Sequence, residues 1–262
     1  MREIGKIKKL PYSLSGINIF PVELEEALNI VLRHIKDRNG EYFCFVNAHL
    51  VTEGYKDQNV KRVLNRSTGN FPDGMGVAMA LKLLGANFKD RVRGADFMMN
   101  LCSYSAKNGL KIFLYGSTEE NLSTLKEKLL KLFPGLKIAG TISPPFRELT
   151  PEEDSKFIEQ INKSEADILF VSLGAPKQEK WMAEHKGRVK PVQLGVGAAF
   201  DFIAGTKKEA PRWVQKIGFE WLWRLIHEPR RLWKRYLIGN TIFIWLVVKE
   251  FLKERFFRKR DL

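Results

Sequence analysis

The sequence predicts an α/β fold: a Rossmann-like, mostly parallel sheet flanked by helices, with a basic helical C-terminal appendage. Three observations carry this. Short runs rich in Ile, Val, Leu and Phe (110–115, 168–173 and 192–196) each end at a glycine: Gly116, Gly174 and Gly197. Helix-spaced segments lie between such runs, and this alternation belongs to a doubly wound parallel sheet with right-handed crossovers. From Lys207 onward the chain turns basic and Trp-rich, with fifteen Lys/Arg against six Asp/Glu, so +9 of the formal +14 sits there.

Taken in order, apolar positions Val22, Leu24, Ala27, Leu28, Val31, Leu32 and Ile35 predict a helix over 22–36, stopped by Asn39-Gly40. Residues 42–46 read as a short buried strand ending at Asn47. Helices follow over 75–84 and 94–107, the second closed by Asn108-Gly109. Beyond the strand at 110–115 come a helix (119–133), a short strand (136–139) and a helix (151–162). The strands at 168–173 and 192–196 complete the sheet. The expected division is a core over 1–206 and an appendage over 207–262.

At 262 residues and 44% hydrophobic, the chain can bury a full core. Its positive charge speaks to anionic partners and not to fold. Cys44 and Cys102 sit in apolar runs and read as buried, reduced thiols of a cytosolic protein. The segment M-R-E-I-G-K-I-K-K-L has no apolar h-region, so no secretory signal is expected. The longest apolar run, 236–248, falls short of the ~20 residues that span a bilayer.

Ligands of such sheets sit beyond the carboxyl ends of the strands, where helix N-termini point partial positive charge outward. The unusual residues concentrate there. In F-P-D-G-M-G-V (71–77), Asp73 lies in a tight turn before a helix, as a plain N-cap or as a general base. In V-S-L-G-A-P-K-Q-E-K-W (171–181), Gly174 precedes a helix that Pro176 initiates and that carries Lys177, Gln178 and Glu179 in its first turn. A lysine there opposes the helix dipole unless an anion is near, so Lys177 reads as a phosphate ligand or a solvated side chain. In L-Y-G-S-T-E-E-N (114–121), Gly116 and Ser117 offer backbone amides to a nucleotide phosphate, or Ser117 or Thr118 merely caps the helix. In G-V-G-A-A-F-D (195–201), Gly197 permits close approach and Asp201 could bond a ribose or base; a lone G-x-G is weak.

No D-x-D is present, and neither the four histidines (His34, His49, His185, His227) nor the cysteines have metal-ligand spacing, so no metal and no cofactor are expected. His49 could line a pocket or serve as an ordinary structural histidine. No G-x-S-x-G elbow or strong G-x-G-x-x-G occurs. In the appendage, Glu220, Trp221, Arg224 and His227 fall on helical spacing, and Pro229 interrupts before Arg230-Arg231. Its aromatics, among them Trp213, Trp233, Trp245, Phe256 and Phe257, suit a membrane interface or a single-stranded nucleic acid.

Together and in order, Asn47, P-D-G-M-G-V, R-V-R-G-A-D-F (91–97), L-Y-G-S, A-D-I-L-F-V-S-L-G-A-P-K-Q-E (166–179), G-V-G-A-A-F-D and A-P-R-W…G-F-E-W-L-W-R-L…E-P-R-R resemble the WecG/TagA/CpsF glycosyltransferases. The resemblance covers about 16–235. It implies a metal-independent, inverting transferase with a UDP-sugar donor and a polyprenyl-diphosphate-linked sugar acceptor at the cytoplasmic face of the membrane. Its best-known members move N-acetylmannosamine, or its uronic acid, onto GlcNAc-diphosphoundecaprenol, for teichoic acid linkage units or a common surface antigen. By this resemblance Asp73 is the catalytic base, Asn47 and Gln178 are substrate-site residues, and Arg224 and Arg231 are cations for the diphosphates. Many members read R-A-P where this chain has Glu209-Ala210-Pro211, and some carry threonine where Phe45 stands. Segment 143–149 also departs from the commoner glycine-aromatic loop. These departures bear on which sugars are used.

The expected partners are therefore a UDP-sugar, the lipid acceptor and an anionic membrane surface, with a homo-oligomer as one way to cover the apolar tail. The rival enzyme is a related exopolysaccharide transferase of glucose or glucuronic acid. The rival non-enzyme, a basic nucleic-acid-binding protein, leaves the glycine-ended strands unexplained and lacks a recognition motif.

Overall fold

The computed structural model describes residues 10–258, with side chains as far as Arg255. The N-terminal residues 1–9, and the side chains of the tail aromatics Phe256 and Phe257, lie outside the described residues. The chain runs β1 (Tyr12–Leu14), β2 (Ile17–Ile19), α1 (Leu24–Ile35), β3 (Tyr42–Val46), α2 (Ala48–Lys56), α3 (Gln58–Asn65) and β4 (Gly69–Pro72). Then follow α4 (Met75–Leu83), α5 (Gly94–Asn108), β5 (Lys111–Gly116), α6 (Glu119–Leu132), β6 (Lys137–Ile142), α7 (Pro151–Lys163), β7 (Ile168–Ser172), α8 (Lys177–His185) and β8 (Val192–Gly195). The last part is helical: α9 (Ala199–Ala204), α10 (Arg212–Lys216), α11 (Glu220–His227), α12 (Pro229–Trp233), a π-helical turn (Lys234–Ile238) and α13 (Gly239–Arg258).

The main sheet has the order β4-β3-β8-β7-β5-β6, and every pairing from β3 to β6 is parallel. This is the α/β architecture that the alternating pattern predicts. The chain groups into two compact units. One comprises Glu25–Cys44 and Gly94–Lys208; the other comprises residues 10–24, Phe45–Arg93 and 209–258.

In the first unit, β7 and β8 are buried almost throughout, as is β5 after Lys111, because helices cover both faces of a parallel sheet. Tyr115 of β5 packs against Phe157 of α7 and stacks on Trp181 of α8, while α9 packs on α5 and α6. Gly140 of β6 lets the Phe113 ring approach: a Cβ there would stand 2.4 Å from it. Cys44 and Cys102 are buried free thiols, as expected. In the register, Ile112 pairs with Ile168 and Gly116 with Ser172, so β5 and β7 end level with one another.

The second unit begins with the antiparallel hairpin β1–β2. The buried Asn70 side chain ties the hairpin to α3, donating to Asn18 O (2.8 Å) and Leu64 O (2.9 Å). Asn47 caps α2, accepting from the Leu50 amide at 3.2 Å. Helix α13 lies on α2, where the Thr52 hydroxyl donates to Gly239 O at 3.3 Å and Tyr55 meets Trp245 edge-on. Among the described residues no helix is long and apolar enough to cross a membrane.

Candidate active site

In the first unit the chain leaves β5 toward β6 on one side and leaves β7 toward β8 on the other. That divergence is a topological switch point, where open α/β sheets bind ligands beyond the strand ends. Gly116, Ser117 and Gly174 sit there. Gly116 has φ 114°, and a Cβ on it would lie 2.2 Å from Ser172 O, so only glycine fits this strand end. Ser117 also has positive φ (65°) and its amide donates to Ser172 O at 3.1 Å. Backbone held in this region by its surroundings is characteristic of ligand-binding turns.

A small polar network braces the turn. Asn121 Nδ2 donates to Ser117 Oγ (2.7 Å) and to Asp201 Oδ1 (3.1 Å), and its Oδ1 accepts from Thr206 Oγ1 (2.8 Å). Asp201 Oδ2 takes the Lys207 ammonium at 2.5 Å. Thr118, not Ser117, caps α6. Next to Gly197, Gln178 is 4% exposed. Its Nε2 donates to Glu179 Oε1 (2.8 Å) and Gly195 O (2.9 Å), while its buried Oε1 has no hydrogen-bond partner among the described residues. Lys177 is exposed at the start of α8, whose N-cap is Pro176. The first unit thus gathers Gly116, Ser117, Gly174, Lys177, Gln178, Gly197 and Asp201 at the carboxyl ends of β5, β7 and β8.

The second unit holds a cavity of about 490 Å³. Asp73 lies in its wall with Asn47, His49, Arg91, Glu220, Arg224 and Arg235, and the rest is largely apolar, including Met79, Phe219, Trp221 and Ile244. Asp73 follows β4 directly, and its amide donates to Val46 O at 2.8 Å. Gly74 (φ 86°) turns the chain into α4, and that glycine, not Asp73, holds the N-cap position. The cap reading of Asp73 is therefore set aside.

Burial, then the neighbouring Glu220 carboxylate, push the Asp73 carboxyl up to about 6, against the opposing pull of Arg91, Arg93 and the Asn47 side chain. Glu220 accepts from Arg91 Nη2 at 3.1 Å and lies 3.9 Å from Arg93 Nε, while Arg93 also pairs with Glu209. A carboxyl near 6 is largely ionised at neutral pH and still basic enough to accept a proton. The cavity therefore joins a base, several guanidinium groups and apolar walls.

Comparison with known proteins adds the chemistry. The sequence pattern of the glycosyl transferase WecG/TagA/CpsF family matches residues 12–257. The chain belongs to this family. It is 30% identical over 256 residues to the N-acetylglucosaminyldiphosphoundecaprenol N-acetyl-beta-D-mannosaminyltransferase of Bacillus subtilis (strain 168), covering 97% of this chain and 95% of that one. A protein of the same description from Bacillus spizizenii (strain ATCC 23059 / NRRL B-14472 / W23) is 27% identical over 232 residues, covering 88% and 86%.

Among the residues of this WecG/TagA/CpsF chain that were singled out in sequence, Asp73, Asn47 and Arg224 meet in one cavity. Arg231 does not line it: Arg231 is exposed and pairs with Glu228 one helical turn away. Arg235 does line it, from the π-helical turn, with a buried Nε that has no hydrogen-bond partner among the described residues. Burial lowers its pKa from the usual arginine value, with Asp73 acting in the other direction. Sequence reading passed over Arg235, Arg91 and Glu220 as site residues. Arg91 stands in the R-V-R-G-A-D-F signature, which was a usable signal; an extra residue inserted by a π-turn leaves none.

Proposed function

We propose that this protein is an inverting glycosyltransferase that needs no metal ion. It moves a sugar, with N-acetylmannosamine as the favoured case, from a UDP-sugar to GlcNAc-diphosphoundecaprenol in surface-polymer synthesis. The observation that carries the reading is Asp73, a carboxyl of raised basicity in a cavity that also presents Arg91, Arg224 and Arg235 and a long apolar wall. Base, cations and apolar surface match the three chemical parts of a lipid-diphosphate sugar acceptor. The similarity to the two Bacillus transferases, across nearly the whole chain, supports the choice of sugars.

In the proposed reaction the acceptor sugar hydroxyl gives its proton to Asp73 as its oxygen attacks the donor's anomeric carbon. The bond from that carbon to the β-phosphate oxygen breaks, and its electron pair leaves with UDP. Attack opposite the leaving group converts an α-linked donor into a β-glycoside. Within the first unit, the amides at the turns after Gly116 and Gly174 and the N-terminus of α8, with Gln178 and Gly197 alongside, are the groups suited to a nucleotide's phosphates. The diphosphate of the acceptor falls to Arg224 and Arg235, with Arg231 as a further cation near Arg235. Asp73 then returns its proton to solvent. The basic, aromatic tail docks on the anionic inner face of the cell membrane, where the acceptor resides.

The test is release of UDP from a panel of UDP-sugars with a short-chain lipid-diphosphate-GlcNAc acceptor, with and without a chelator. UDP-N-acetylmannosamine should be the best donor, and the chelator should leave the rate unchanged. Asp73→Asn should lower turnover by about 10²–10⁴-fold while UDP binding, measured by calorimetry, persists. Turnover of Asp73→Asn near that of the parent protein would refute the base assignment.

A further inference from the structure

Arg91 and Asp73 are backbone neighbours. The amide of Val92, next to Arg91, donates to the carbonyl of Pro72, next to Asp73, at 2.7 Å. An arginine so placed has an obvious alternative partner, because a guanidinium and a carboxylate form a strong bidentate pair when nothing else holds them. Such a pair would depress the basicity of Asp73 and occupy the oxygen that must take the acceptor's proton. In the structure Arg91 points elsewhere. Its Nη2 donates to Glu220 Oε2 at 3.1 Å and lies 3.4 Å from Gln215 O.

Both acceptors belong to the segment that enters α11. Gln215 is itself fixed, its buried side-chain amide donating to Ala210 O at 2.6 Å. The Arg91 side chain is 6% exposed and that of Glu220 20%, so the pair is shielded from competing water. Arg93 reinforces it, with Nε 3.9 Å from the same Glu220 oxygen and a second tie to Glu209.

We infer that Glu220 is a positioning residue for the proposed reaction: it holds the Arg91 guanidinium on α11 and keeps it from capturing the Asp73 carboxylate. Glu220 touches neither substrate in this scheme and acts through Arg91. It also adds a negative charge beside Asp73, which strengthens the base. Among the described residues, the other basic groups lining this cavity are His49 at the start of α2, Arg224 on α11 and Arg235 on the π-turn. Ion pairing of Glu220 and Glu209 with Arg91 and Arg93 thus makes the basicity of Asp73 depend on how the 209–220 segment is seated.

This inference rests on Asp73 being the base, and the experiment separates the two. The acid limb of the turnover–pH profile is measured by UDP release for the full chain and for Glu220→Gln, Arg91→Gln and the double variant. In Glu220→Gln the limb should move about one unit to lower pH, and turnover above the limb should fall because the base is weaker. In Arg91→Gln the limb should move the other way, and the double variant should lie between the two. A limb that stays in place in every folded variant, whatever the loss of rate, overturns the positioning role and leaves Glu220 a structural ion pair. If Glu220→Gln does not fold by circular dichroism, Glu220→Asp, which keeps the charge but shortens the reach to Arg91, takes its place, and a limb unmoved in that variant overturns the positioning role. If Asp73→Asn keeps its turnover, the base reading itself has failed. If Asp73→Asn is inactive and the limb is unmoved in the other variants, only the role of Glu220 has failed.

Discussion

At the scale of single residues, Asp73 is held at a cost to stability. Its carboxyl is raised from 3.8 to about 6, mainly by burial and secondly by Glu220. The native state therefore binds a proton more tightly than the unfolded chain does. The sign follows: stability falls as pH rises from about 4 through 6, and the full penalty is present above that window. Asp73→Asn removes a partly buried charge, so at pH 7.5 it should raise the melting temperature while lowering turnover. The difference in melting temperature should vanish by pH 4; a variant less stable at every pH would contradict it. Gly116 makes the opposite case. With φ 114° and a Cβ that would stand 2.2 Å from Ser172 O, Gly116→Ala must shift the β5 turn. Loss of UDP affinity, measured by calorimetry, should exceed the loss produced by Gly174→Ala, whose added Cβ meets nothing within 4 Å. Residues with their own local signature, such as Asp73 in P-D-G-M-G, were legible in sequence. Glu220 and Arg91 were legible only as motif letters, since their pairing joins positions far apart in the chain.

At the scale of elements, the legible parts were those whose local pattern settles the structure alone. Strands β5 and β7 are nearly continuous apolar runs because the sheet is covered on both faces, β8 is equally buried although it carries Gln193, and α1, α4, α5, α6 and α7 begin and end within a few residues of their expected bounds. The hairpin β1–β2, helices α2 and α3, and strand β4 were not foreseen. β1 and β2 are three residues each, and β4 is four, too short for alternation to show. Helix α2 starts directly after Asn47, where the polar residue that follows a strand is also the next helix's cap. The apolar run 236–248 read as too short for a membrane span, and it forms the π-turn and first half of α13 instead. Which of its residues face inward depended on α2 and was not visible in sequence. Phe243 and Leu246 are buried, whereas Ile244, Trp245 and Val248 are exposed. Leu246→Ala should therefore cost about 2–5 kcal/mol in urea unfolding, and Val248→Ala within about 0.5 kcal/mol. Equal costs would mean that α13 does not pack as described.

At the scale of the molecule, the tail sets charge beside apolar surface in a way that a fully water-facing surface does not require. It carries +9 of the formal +14. It also leaves Trp213, Ile226, Ile217, Ile244 and Trp245 between 49% and 67% exposed. Aromatic and aliphatic side chains interleaved with Lys and Arg suit the boundary between headgroups and acyl chains. Each basic residue near an anionic leaflet contributes about 1 kcal/mol, an attraction that salt screens within a Debye length. Burial of the exposed side chains is insensitive to salt. The two contributions can thus be separated by flotation with vesicles of zwitterionic lipid, with and without an anionic component. Binding to anionic vesicles should weaken steeply between low and physiological salt. Replacing Trp213, Ile226 and Trp245 together by Ser should lower binding at every salt concentration while keeping the salt slope. A second copy of the chain could cover the same side chains, and that arrangement predicts a different result. The Ser variant would then turn from oligomer to monomer in analytical ultracentrifugation with its vesicle binding unchanged. Tail docking also predicts that the Ser variant loses rate only with a lipid acceptor presented in vesicles, and keeps it with a short-chain acceptor in solution. Equal losses with both acceptors would place the defect in the cavity and refute a membrane role for these side chains.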